Sequence, residues 1–68
     1  MLELLLEKLA SDENKDKTFI LTFNVKDEAH TRWGKRSSID IKRGIISMDC
    51  ESQRCFYKLD SILCFSIE

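Results

Sequence analysis

Leu2, Leu5, Leu6 and Leu9 recur at i, i+3, i+4 and i+7, with Glu3 and Glu7 on other faces. That spacing lays one apolar stripe along a helix and predicts a helix over about residues 2–10. A helix this short does not hold itself together in water, so the stripe must dock, while Leu4 lies off it. The polar run SDENKDK that follows has no period and reads as a loop. Residues 18–25, TFILTFNV, alternate: Phe19, Leu21, Phe23 and Val25 point one way, Thr18, Ile20, Thr22 and Asn24 the other. This is a half-buried strand with Ile20 as its one outward apolar residue. Across KDEAHTRWGKR, residues 26–36, the alternation fails, and a connection turning near Trp33-Gly34 is expected.

Later segments are constrained by register. A two-residue turn at Arg43-Gly44 sets Ile41 against Ile46 and Ile39 against Met48, with Asp40 opposite Ser47 on the other face. A slip of one residue would break the apolar set. A second turn at Glu51-Ser52 pairs Met48 with Cys55, Ile46 with Tyr57 and Asp49 with Arg54, and brings Cys50 and Leu59 to the inner face. Phe56 then points outward beside Ile45. The closing SILCFSIE puts Leu63, Phe65 and Ile67 on one face and Ile62, Cys64 and Ser66 on the other. Strands are therefore expected at about 37–42, 45–50 and 54–59/62–67, in addition to 18–25. The fold expected is a single α+β domain over residues 1–68: an N-terminal amphipathic helix packed on a four-stranded, mostly antiparallel sheet. The order of elements and the closing FYKLDSILCFSI resemble, in topology, small SH3-like or Sm-like barrels, into which such a sheet could curl. The middle of the chain lacks the Gly-rich bent strand of those families, so the resemblance implies a fold and no activity.

Composition narrows the setting. A 68-residue chain buries little surface and is marginally stable. The net charge of -1 hides a basic middle: residues 30–58 hold seven Lys/Arg against three Asp/Glu, on an otherwise acidic chain. Such a stretch can steer an anionic partner. Three Cys are too few and too unevenly spaced for a disulfide framework, which favours a reducing, cytoplasmic setting. MLELLLEKLA is interrupted by Glu3 and Glu7 and is too short to span a membrane, and it lacks the basic leader of a signal peptide.

Candidate chemistry is sparse. Cys50, Cys55, Cys64 and His30 have the wrong spacing for a zinc knuckle, and buried structural thiols are the simpler reading. A Cys paired with His30 and oriented by Asp27 or Glu28 is the one imaginable nucleophilic arrangement. No Gly-rich phosphate loop or GxSxG elbow is present, and a chain this small leaves little room for a pocket. No enzyme activity, catalytic residue, cofactor, metal or small-molecule substrate is expected.

Two binding readings remain, from different classes. Ile20, Ile45, Phe56 and Ile62, with Leu4, fall on outward phases, which is more apolar surface than a small monomer shows. They suit a protein partner that the domain regulates or inhibits, or a second copy in a homodimer or larger homo-oligomer. Alternatively Arg32, Lys35, Arg36, Lys42 and Arg43 could contact phosphates while Trp33 stacks on an unpaired base of single-stranded nucleic acid. Trp33 capping one end of the core is the structural reading that competes with this one.

Overall fold

A computed structural model describes the chain from Met1 to Glu68. Helix α1 (Leu2–Ala10) is followed by six strands: β1 (Thr18–Val25), β2 (Glu28–Lys35), β3 (Asp40–Lys42), β4 (Ile45–Cys50), β5 (Gln53–Lys58) and β6 (Ile62–Ile67). Short 3-10 turns occupy Asp12–Asn14, Arg36–Ser38 and Leu59–Ser61. The α+β class holds, but the single four-stranded sheet does not. The strands form two antiparallel three-stranded sheets, ordered β2-β1-β6 and β3-β4-β5.

The extra strand is β2, which replaces the expected connection. It pairs with β1 along its whole length, from Val25 opposite Glu28 to Thr18 opposite Lys35. The reversal lies at Lys26-Asp27, both at positive φ (50° and 64°), instead of at Trp33-Gly34. Positive φ at both central residues is what a tight hairpin needs to match strand twist. Opposite Phe23, Leu21 and Phe19, the inner positions of β2 are His30, Arg32 and Gly34, while Trp33 faces outward opposite Ile20. The apolar and polar phases are thus inverted relative to an ordinary half-buried strand, which is why alternation could not reveal it.

Gly34 has a packing reason. A Cβ built there would stand 2.9 Å from Met48 Sδ and 3.2 Å from Met48 Cβ, so the methionine would have to shift to admit it. The missing side chain lets β2 cross β4 at short range, and both sheets then share one core. Leu5 and Leu9 of α1, Phe19, Leu21 and Phe23 of β1, Ile39, Ile46 and Met48 of the second sheet, and Ile62 of β6 form it. Phe23 also stacks on Tyr57 of β5, with ring centroids 4.0 Å apart and planes 6° off parallel. Such a pair ties the sheets together beyond its buried area.

The hairpin registers match the expected ones. Ile41 pairs with Ile46 and Asp40 with Ser47 across a turn at Arg43 (φ 52°) and Gly44 (φ 76°). Met48 pairs with Cys55, Ile46 with Tyr57 and Asp49 with Arg54. The strand expected over 37–42 is shorter, because Arg36–Ser38 turn as a 3-10 helix and only Asp40–Lys42 pair with β4.

Two further phases are corrected. In β6, Thr22 pairs with Cys64 but Phe23 pairs with Ile62, so Leu63 is an unpaired bulge residue. One extra residue reverses the facing of everything before it. Ile62 is therefore in the core at 7% exposure and Leu63 is extruded at 54%. On α1, Leu5 and Leu9 are buried and Leu2 is half-buried, but Leu6 is exposed along with Leu4.

The helix end is closed by two side chains. Asn14, itself buried, donates through Nδ2 to the Lys8 carbonyl at 3.0 Å, and Arg36 donates through Nε to the Leu9 carbonyl at 2.6 Å. These satisfy carbonyls that the last helical turn leaves without partners.

The Gly34→Ala variant is expected to lose about 1–3 kcal/mol in urea unfolding, the usual range for overpacking. Combined with Met48→Val it should lose less than the sum of the single changes, since the two positions share one space. Strict additivity would mean that the close crossing is not limiting.

Candidate interaction surfaces and a cationic pocket

The outer face of the β3-β4-β5 sheet can be read row by row from its pairing. Lys42, Ile45 and Lys58 lie side by side across the three strands, and Asp40, Ser47 and Phe56 form the next row. Phe56 is 66% exposed and Ile45 is also exposed, so the two make a diagonal apolar pair on this face. Diagonal neighbours on adjacent strands are within reach of an aromatic ring. Ser47 is buried between them and Arg54, whose Nη2 donates to Ser47 Oγ at 3.1 Å and whose Nη1 meets Asp49 Oδ1 at 2.9 Å.

The charges of this face sort themselves by partner. Asp49 and Arg54 neutralise each other, and the His30 imidazole lies 3.6 Å from the Glu28 carboxylate. Lys42, Arg43 and Lys58 have no carboxylate within 4 Å and outnumber the exposed acids Asp40 and Asp60 around the Ile45 end of the patch. Beside it lies an open hollow of about 460 Å³ between Leu2, the Arg43-Gly44 turn, Ile45 and the Lys58–Asp60 segment.

The outer face of the β2-β1-β6 sheet is different. Trp33 is 59% exposed and covers the half-buried Ile20 opposite it; Lys35 follows on the same phase, opposite Thr18. Thr22 and Thr31 share a hydrogen bond at 3.0 Å in the adjoining row. Trp33 does not cap the core, contrary to the structural reading of that residue.

The residues expected to act together are thus dispersed. Ile45 and Phe56 share a face, Ile20 belongs to the other sheet, and Ile62 is internal. Of the basic set, Trp33 and Lys35 share a face, Arg32 points to the core side, and Arg43 sits in the turn of the second sheet. Arg36 holds the fold together, donating to the carbonyls of Leu9 and, at 2.9 Å, Ile39. Lys42, expected as a phosphate contact, lies instead in the Ile45 row, and Lys58, which no candidate set contained, completes that row from β5. Leu63 could not be found, since a bulge leaves no periodic signal.

A pocket does exist, despite the small chain. Between the edge strand β2 and the β4–β5 hairpin is a cavity of about 330 Å³, bounded by Thr31, Arg32 and Trp33 on one side and Cys50, Glu51, Gln53 and Cys55 on the other. The Tyr57 hydroxyl beside the Arg32 guanidinium raises its pKa further. Burial and the neighbouring Cys55 thiol push Cys50 up to about 11, so it is a neutral thiol at physiological pH. Cys64 lies on the outer face opposite Thr22, away from that pair, and no three His, Cys, Asp or Glu side chains gather into a metal-binding group. All three thiols are free.

With a thiol-alkylating reagent at pH 8, Cys64 should react first and Cys50 slowly, because the thiolate is the reactive form. The Cys50 rate should then climb with pH toward about 11. Mass-spectrometric peptide mapping reads the order, and equal rates for both sites at pH 8 would refute the assignment. Comparison of the chain with protein-family models, with curated proteins and with solved structures finds no match.

Proposed function

We propose that this chain is a small non-enzymatic binding module that regulates or inhibits a protein partner by docking it on the outer face of the β3-β4-β5 sheet. The observation that carries the reading is Phe56, two-thirds exposed beside Ile45 on a regular sheet face that also presents Lys42, Arg43 and Lys58 without acidic partners. Exposed apolar patches of this kind on small domains mark interaction sites. Free cations at the rim add steering and selectivity more than affinity. The partner segment is acidic, with an aromatic or aliphatic anchor. The fold carrying this face is an SH3-like barrel in this reading, supported by β6 returning to β1 after the 3-10 turn at Leu59–Ser61. Three free thiols suit a cytoplasmic setting.

A second reading is favoured by Trp33 alone. Its ring stands in solvent on a strand, beside Lys35, as a platform for an unpaired base would. Of the expected basic set only Lys35 accompanies it on that face, which ranks this reading behind the first.

Selection of displayed random peptides against the protein should enrich sequences that combine acidic residues with an aromatic or aliphatic anchor. Phe56→Asp should keep the native fold, since the side chain is outward, and weaken these peptides by at least about tenfold, the scale of a lost interface anchor. Peptides that bind Phe56→Asp equally well would end the proposal, and light scattering on both proteins would show whether the patch instead joins two copies. For the second reading, Trp33 emission is followed while mixed single-stranded oligonucleotides are added at two salt concentrations. Quenching that fades with salt supports it, and an unmoved spectrum retires it.

A further inference from the structure

The cavity between β2 and the β4–β5 hairpin holds an arginine with an unusual set of partners. Arg54 is satisfied by Asp49 and Ser47, and Arg36 by two backbone carbonyls. Arg32, which enters the cavity from the inner phase of β2, donates to the Thr31 carbonyl at 3.2 Å, has the Tyr57 hydroxyl as a second hydrogen-bonding neighbour, and has no carboxylate within 4 Å. A guanidinium carries five N–H donors in a planar fork, so most of its capacity is unspent. The Tyr57 hydroxyl beside it does not neutralise the charge. Around this cation the lining is partly apolar, with Trp33 on the β2 side, Cys50 and Cys55 on the hairpin side, and Glu51 as the one carboxylate. Cys50 remains protonated at neutral pH, so it offers no competing anion.

We infer that this cavity binds a small molecule bearing a single carboxylate, paired with the Arg32 guanidinium, its apolar body lying against Trp33 and the two thiols. Fork geometry matches a carboxylate through two parallel hydrogen bonds. The charge balance selects a monoanion over a phosphate ester. No second Lys or Arg lines the cavity, and the one other charged residue on its rim is Glu51, an acid at positive φ in the hairpin turn. A dianion would leave one charge uncompensated and meet repulsion from Glu51. Volume points the same way, because about 330 Å³ lies at the low end of ligand sites and suits a ring or short chain. The site stands apart from the protein-docking face: on β5, Cys55 faces the cavity side and Phe56 the opposite side. Either can fail without the other.

The test is a two-dimensional NMR titration of the whole protein with benzoate, using benzamide as neutral isostere and phenyl phosphate as dianion. Benzoate should shift the resonances of Arg32, the Trp33 indole and the Cys50–Cys55 hairpin, with benzamide and phenyl phosphate at least about tenfold weaker, as expected when a charge-assisted pair is lost or unbalanced. Arg32→Gln should weaken benzoate by a similar factor. Should that variant fail to fold, Glu51→Gln decides: removal of a like charge at an exposed turn should tighten benzoate about two- to fivefold at low salt. Benzamide binding as well as benzoate, phenyl phosphate binding better, or a Glu51→Gln affinity that does not rise would overturn the assignment.

Discussion

At the crossing of β2 over β4 a side chain would press on Met48, and Gly34 meets that constraint by having none. The approach to Met48 draws two separate ladders onto one core, so that Phe19, Leu21 and Phe23 of the first sheet meet Ile46 and Met48 of the second, with Leu5 and Leu9 of the helix completing the set. Nine buried apolar residues are a small core for any chain, and a domain of this length has little stability to spare. Every element that touches the crossing is therefore placed by it.

The same strand that packs most closely at Gly34 opens the molecule two residues earlier. Arg32 and His30 occupy inner positions where a larger domain would put apolar side chains, and the structure accommodates them at half-buried sites on the sheet edge. A buried charge without a partner would be costly, so Arg32 keeps contact with solvent through the cavity it lines. Trp33, displaced to the outer phase by this arrangement, shields Ile20 instead of the core. Packing and surface chemistry are thus two consequences of one inverted strand.

The basic middle of the chain resolves into groups with different roles. Arg36 closes the helix end and Arg54 seals Ser47 beneath a salt bridge, while Lys42, Arg43 and Lys58 stay unpaired around Ile45 and Phe56. Charges that already hydrogen-bond within the fold have little left for a partner, whereas free ones on a flat face retain their field. A net charge near zero is compatible with both a cationic face and an acidic helix.

Local patterning carried much of this architecture. The helix, β1, and both hairpin registers after Arg43 were legible, because an apolar side chain can be buried on only one phase and a register slip would expose it. The Ile45–Phe56 pair followed from those registers, and so did the lysines beside it. Other features answered to distances between segments remote in sequence. Gly34 is explained by Met48, fourteen positions away, and β2 is a strand because β1 offers it a full ladder, whatever its own side chains prefer. The bulge at Leu63 turned Ile62 inward, and the cavity at Arg32 arose where two edges fail to meet. The amino-acid order by itself determined which segments alternate and where the two hairpins after Lys42 turn, since these depend on nearest neighbours. Only the tertiary structure decided which face each odd residue takes and which cations remain free, because those outcomes depend on what another segment brings against them.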